Sequence, residues 1–289
     1  SGDIVLAGTY ANGIDFGVAK LPEIPNESRR SSSYLAKLDG ATGKAKWAKL
    51  VGGPERVELR TMALLPNDDV VLAGTFRQEL ALEGSVPRLE ADAGAKGSTS
   101  FLARFDRSGT ATWSARAPAF PGTDLLLSDA RLVALPNGNA VMAACGGGEV
   151  LLAGVDSASG KATWERRIKA TSVISPKLIS DPSGNVYVAF YASDADFGKG
   201  PALAHADGLS GGYLAKLGDR GEIVAFKTYG DTFNDAVNAL AWNPKTKTVT
   251  VARQGTKGPP SKARGEWLVT ETWLESTIEP ATFDTKPAR

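Results

Sequence analysis

The residues that could do chemistry are few. The 289-residue sequence holds one histidine and one cysteine, so multi-histidine metal sites, an intrachain disulfide and a thiolate cluster are all excluded. A Ser-His-Asp arrangement would have to be built around His205, which sits in the Gly-rich stretch "PALAHADGLSGG". Cys145 ends an apolar run, "AVMAACGG", and reads as a small buried residue. Asp15 and Asp196, in "GIDFG" and "DADFG", offer the hard oxygen ligands that suit Ca²⁺. Neither shows the D-x-D-x-D-G spacing of a calcium loop, and both read as turn residues with Phe16 and Phe197 packed inward. Arg29 and Arg30 in "ESRRSSS" could hold a carboxylate or another anion, or form a solvated loop. Tyr229, Asp231, Asn234 and Asp235 in "YGDTFNDAVN" make a polar cluster placed to meet a partner. A carboxylate pair for glycoside hydrolysis depends on separation in space, so spacing along the chain does not reveal one.

Those residues must be positioned by repeated strands. Three phrases recur. One is an apolar run, a Pro-containing polar turn and a second run: "MALLPNDDVVLAGTF", "LVALPNGNAVMAAC", "LISDPSGNVYVAFYA", "ALAWNPKTKTVTVAR". The next is a short strand ending near Asp: "SYLAKLDG", "SFLARFDR", "VLLAGVDS", "GYLAKLGD". The third follows at once: "GKAKWAKL", "GTATWSAR", "GKATWERR", "GEIVAFKT". Gly43, Gly109 and Gly160 stand four residues before Trp47, Trp113 and Trp164, whereas Gly221 is followed at that spacing by Ala225, with Phe226 next.

Pro-Asn-Gly and Pro-Ser-Gly-Asn between β-rich runs are hairpin signals, because Gly and Asn accept a positive φ. The runs are rich in β-branched and aromatic residues and alternate with period two, which fits strands and not amphipathic helices. Each unit therefore supplies four antiparallel strands, a to d, with a–b and c–d joined by tight turns. The expected architecture is an all-β propeller of about five blades in one domain, with units near 1–53, 54–118, 119–170, 171–230 and 231–289. Ser1-Gly2-Asp3 aligns with Ser183-Gly184-Asn185, inside an a–b turn. The first blade then lacks its innermost strand, and polypeptide outside these residues is expected to supply it. The b–c and d–a connections are long and varied, and variable loops on a rigid scaffold are the usual place for binding residues. The third unit is the exception, with "CGGGEV" in place of a long b–c loop.

Set side by side, "SGNVYVAFYASDADFG", "DIVLAGTYANGIDFG" and "SSYLAKLDGATGKAKWAKLVGG" resemble the SBBP-type β-propeller repeat of secreted and surface bacterial proteins. That resemblance implies seven blades, so that about two lie elsewhere, and an extracytoplasmic location. "LAKLDGATGKAKW" and "LAGVDSASGKATW" are similar to the tryptophan-docking phrase of quinoprotein propellers and the related outer-membrane assembly lipoprotein. That resemblance implies a structural, blade-packing role for Trp47, Trp113 and Trp164.

Lys and Arg number 33 against 32 acidic residues, which gives no electrostatic pull toward nucleic acid or an anionic membrane. No apolar run reaches the roughly 18 residues of a membrane helix, and the sequence opens without the pattern of a signal peptide. The functional expectation is a non-enzymatic, cofactor-free protein-binding or scaffold propeller, a subunit of a larger assembly. A polysaccharide hydrolase or lyase, or a glycan-binding lectin, is the alternative.

Overall fold

The computed structural model describes residues 2–23, 31–91, 97–118, 129–198, 203–204, 210–229, 233–256 and 270–278. Every regular element among them is a strand. The first repeat comprises β1 (Ile4–Tyr10), β2 (Ile14–Asp15), β3 (Lys20–Leu21), β4 (Ser32–Leu38) and β5 (Ala45–Gly52). The second comprises β6 (Val57–Leu64), β7 (Val70–Phe76), β8 (Glu79–Leu82), β9 (Leu89–Glu90), β10 (Thr99–Phe105) and β11 (Ala111–Arg116). The third is β12 (Arg131–Ala134), β13 (Ala140–Gly146), β14 (Glu149–Val155) and β15 (Ala162–Lys169). The fourth is β16 (Ile174–Ser180), β17 (Val186–Ala192), β18 (Asp194–Ala195), β19 (Leu203–Ala204), β20 (Gly211–Leu217) and β21 (Ile223–Tyr229). The last holds β22 (Phe233–Asn243), β23 (Thr248–Thr256) and β24 (Thr270–Ile278).

The main sheets follow the expected a-b-c-d order: β6-β7-β10-β11, β12-β13-β14-β15 and β16-β17-β20-β21. The last repeat gives β22-β23-β24, its a, b and c strands. The first gives β1-β4-β5, the b, c and d strands, and β8-β9 continues that sheet beyond β5. Among the described residues β1 therefore has a strand neighbour on one side only.

Three short ribbons, β2-β3, β8-β9 and β18-β19, occupy b–c connections that the sequence reads simply as loops. The third repeat has no such ribbon: β13 and β14 are joined through Gly147 and Gly148 at φ 59° and 77°, the tight hairpin that a run of glycines permits.

By compactness the chain divides into two units, Ser1–Ala140 with Val155–Thr163, and Val141–Gly154 with Trp164–Arg289. The core of the first includes Leu35, Val51, Leu72, Phe76, Phe101 and Phe105. Within the second, Tyr187, Leu214, Tyr229, Val237, Val249 and Val251 pack together. Strands in position b are buried along almost their whole length in β7, β13 and β17, because strands flank them on both edges and side chains cover both faces. None of the described helices, there being none, is long and apolar enough to cross a membrane.

Candidate binding site

In the first three repeats the c–d turn is built by one aspartate. Asp39 Oδ1 accepts hydrogen bonds from the amides of Ala41 and Thr42, at 3.2 and 2.9 Å, and from the Thr42 hydroxyl at 2.8 Å. Asp106 does the same for Ser108 and Thr110, and Asp156 for Ser159. These Asx turns bring the chain round to Gly43, Gly109 and Gly160, each at a φ between 69° and 83°.

The bonds also act on the carboxyl groups. The Thr42 hydroxyl, with the Thr42 amide and Lys46, holds Asp39 down to about 2. The Ser159 hydroxyl lowers Asp156. Burial pushes Asp106 up, but the Ser108 hydroxyl and the turn amides together outweigh it and the net shift is downward. An unfolded aspartate titrates near ~3.9, so Asp39 contributes stability above that pH, and the contribution is lost as pH falls toward 2. Melting temperature followed from pH 6 to pH 2 should therefore show the gap between the parent chain and Asp39→Asn closing below about pH 4.

In the first, second and fourth repeats the d strand returns with a β-bulge. Pairing shifts between Lys37 and Leu38, Arg104 and Phe105, and Lys216 and Leu217. The residue left out of register is Lys46, Thr112 or Val224. In the first two repeats it immediately precedes the tryptophan, and a bulge re-aims the side chain next to it.

Each indole then lies on the turn glycine of the following repeat. A Cβ added at Gly109 would fall 2.8 Å from the Trp47 ring, and one at Gly160 would fall 2.7 Å from the Trp113 ring. Trp164 covers Gly221 in the same way. Trp47 Nε1 donates to the Arg107 carbonyl at 3.2 Å, and Trp113 Nε1 donates to the Ser157 carbonyl at 2.8 Å. In both cases the acceptor is the residue directly after the turn aspartate. Under these rings Gly109, Gly160 and Gly221 are buried.

Gly43 belongs to the same series and differs in its surroundings. It has φ 69°, is exposed, and a Cβ added there would meet nothing within 4 Å. Its face opens onto a groove of about 530 Å³ lined by Asp15, Phe16, Val18, Leu38 and Lys44 among others. That volume lies in the range of ligand pockets. Phe16 is fixed there by Tyr34, at 5.3 Å between ring centroids. Asp15 Oδ1 accepts the Gly17 amide at 2.7 Å, which leaves the rest of its exposed carboxylate on the groove.

The residues singled out from the sequence fare unequally. Arg29, Arg30, Asp231 and His205 lie outside the described residues. Asn234 and Asp235 fall within β22, and their side chains are outside what is described. Tyr229 corrects the idea of an exposed polar cluster: it is 2% exposed, part of the second unit's core. Lys227 Nζ and the Arg253 guanidinium carbon lie 5.1 and 4.8 Å from its ring centroid. Asp196 is a turn residue, its Oδ1 accepting the Gly198 amide at 2.8 Å, while Phe197 stacks on Phe226 at 4.7 Å. Cys145 is buried. Among the described residues no group of three His, Cys, Asp or Glu is placed to hold a metal. The Gly43 groove was not singled out, although the Gly-to-Trp spacing marks Gly43 together with Gly109 and Gly160.

The family described as outer membrane protein assembly factor BamB matches residues 93–198. No curated protein matches the sequence. Among solved structures, a Bacteroides caccae protein of unknown function is similar at 14% identity and a TM-score of 0.41, over 76% of this chain and 61% of that one. A Dyadobacter fermentans protein of unknown function is similar at 14% identity and a TM-score of 0.48, over 94% and 75% of the two chains. Kuenenia stuttgartiensis hydrazine synthase follows at 12% identity and 0.38, over 78% and 73%. What the chain shares with the assembly-factor family is thus a segment of repeat, and that segment holds Gly109, Trp113, Gly160 and Trp164.

Proposed function

We propose that this protein is a non-enzymatic, protein-binding scaffold of propeller blades that works as an extracytoplasmic subunit of a larger assembly. The observation that carries the reading is the groove at Gly43. It repeats the turn geometry that receives a tryptophan elsewhere in the chain, yet its face is open to solvent. A recess lined by Phe16, Val18 and Leu38 together with the Asp15 carboxylate and Lys44 is suited to grip a peptide side chain. The match of residues 93–198 to a family described as an assembly factor supports the same reading, and with it the location outside the cytoplasm. Val18, 56% exposed on the groove rim, gives a direct test. A photo-reactive residue at position 18 should yield a discrete protein adduct in an extract of the source cells, whereas the same residue at the exposed turn position of Asn137 should not. Equal labelling at both positions, or polysaccharide turnover by the purified chain, would overturn the reading.

A further inference from the structure

We infer that Asn12–Gly13 is a covalent modification site, at which the chain deamidates through a succinimide to aspartate and isoaspartate. The inference stands apart from the binding reading and rests on local geometry.

The chemistry needs a side-chain carbonyl and a free backbone nitrogen beside it. The Gly13 nitrogen attacks Asn12 Cγ and gives up its proton, the bond from Cγ to the side-chain nitrogen breaks, and ammonia leaves. Water then opens the ring. Attack at the side-chain carbonyl restores the ordinary main chain with aspartate at position 12. Attack at the main-chain carbonyl leaves isoaspartate, whose backbone runs through Cβ. No electrons are exchanged, and water is the only co-reactant. Asparagine is thermolabile by such chemistry, and a following glycine favours it because no Cβ hinders the nitrogen.

Three dipeptides among the described residues place glycine after a residue able to form the ring: Asn12–Gly13, Asp39–Gly40 and Asn137–Gly138. Two of them are held shut. Asp39 Oδ1 accepts from the Ala41 and Thr42 amides and from the Thr42 hydroxyl. Those bonds keep the carboxyl ionised, the form least open to attack by nitrogen. Asn137 Oδ1 accepts the Asn139 amide at 3.0 Å. The Gly138 amide, whose nitrogen would have to attack, donates to the Leu135 carbonyl at 3.0 Å. A nitrogen engaged in a turn reacts only after that turn opens.

Asn12–Gly13 has neither restraint. Both residues are exposed, and they link β1 to β2 outside either strand. No hydrogen bond among the described residues holds the Asn12 side chain or the Gly13 amide. The exposure belongs to this corner of the repeat, not to the first copy alone. In the second repeat the matching Arg77 and Gln78 are exposed as well, although the end of β5 pairs with β8 just beyond them. Asn137 is also exposed, so hydrogen bonding, not access to water, separates the two asparagines. The product adds a negative charge three residues before Asp15, and isoaspartate lengthens the link that enters β2.

The folded chain, kept warm at mildly alkaline pH for several weeks and mapped by peptide mass spectrometry, tests this, with the urea-unfolded chain run in parallel. In the folded chain position 12 should convert about tenfold or more faster than position 137, because two hydrogen bonds must open together at the latter. In urea the two positions should convert at similar rates. An isoaspartyl methyltransferase should label the peptide that contains position 12, and Asn12→Gln should remove that label. Equal rates at the two positions of the folded chain, faster conversion at 137, or no conversion at 12 overturns the inference. A gap of the same size in urea also overturns it, since the difference would then owe nothing to the fold.

Discussion

Asp69→Ala should lower the free energy of unfolding by about 3–5 kcal/mol, the cost typical of leaving one member of a buried ion pair alone. Asp69 is 6% exposed although charged. Its Oδ2 accepts from Arg104 Nε at 3.0 Å, Arg104 Nη2 at 2.5 Å and Asn67 Nδ2 at 3.0 Å, and its Oδ1 accepts from the Arg107 amide at 3.0 Å. Arg104 Nη1 reaches on to the Ser157 carbonyl at 2.7 Å, which Trp113 Nε1 also uses. The carboxylate thus ties the start of strand b to strand c and, through one guanidinium, to the next Asx turn. Alanine would leave the guanidinium, 18% exposed along its side chain, with a single partner. Set against a total stability of about 5–15 kcal/mol, the loss would be plain in a urea titration. Arg104→Met in the Asp69→Leu background should recover most of it, since a buried pair replaced by apolar groups of similar size is often neutral. A loss under about 1 kcal/mol would show that water replaces the pair at little cost. The first repeat has Asp3 and Lys37 in the same two positions, 3.5 Å apart. A lysine cannot reproduce the forked contact, so Asp3→Ala should cost less.

Strand order and the tight turns were legible in the sequence because they rest on local chemistry. Period-two patterning marks a strand, and Pro-Asn-Gly or Asp-x-x-x-Gly marks the turn that ends it. The place of β1 as a second strand, paired with β4, was legible for a different reason: an internal repeat supplies its own control, and IVLAGTY matches VVLAGTF of β7. The b–c ribbons were not readable, since β2, β3 and β9 are two residues long and owe their form to whatever strand end lies beside them. The bulges escaped as well, because one residue out of register between Arg104 and Phe105 leaves composition and spacing unchanged. Arg104 and Asp69 are 35 residues apart, so their pairing is a product of sheet topology. Tyr229 misled because neighbouring Asp231 and Asn234 make its surroundings look polar. Alternation within β21 turns its ring into the core instead. The Gly43 groove could have been found by asking what each repeated glycine faces, a question that needs the next repeat in space.

Gly160→Ala should destabilise the protein by about 3 kcal/mol, where Gly43→Ala costs only about 1–2 kcal/mol, the penalty for an L-residue in left-handed backbone. Both glycines have similar φ, 72° and 69°, so the backbone share of the cost is common to the two. The difference lies in what the new methyl group meets. At Gly160 it would press on the Trp113 ring at 2.7 Å, and at Gly43 it would meet nothing within 4 Å. Forcing a methyl into a packed contact adds about 1–3 kcal/mol, because the ring is held by its N–H bond to Ser157 and cannot withdraw without losing it. Trp113→Ala should cancel that excess in the double variant, leaving the backbone penalty and the loss of the half-buried ring, which a double-mutant cycle followed by chemical denaturation separates. The same comparison also bears on the open groove. Were Gly43→Ala to cost as much as Gly160→Ala in the isolated chain, an aromatic side chain of this same molecule would already be lying on Gly43. If the two differ as expected, the face at Gly43 is free in the isolated chain, and a partner that fills it should bring the cost of Gly43→Ala up to that of Gly160→Ala.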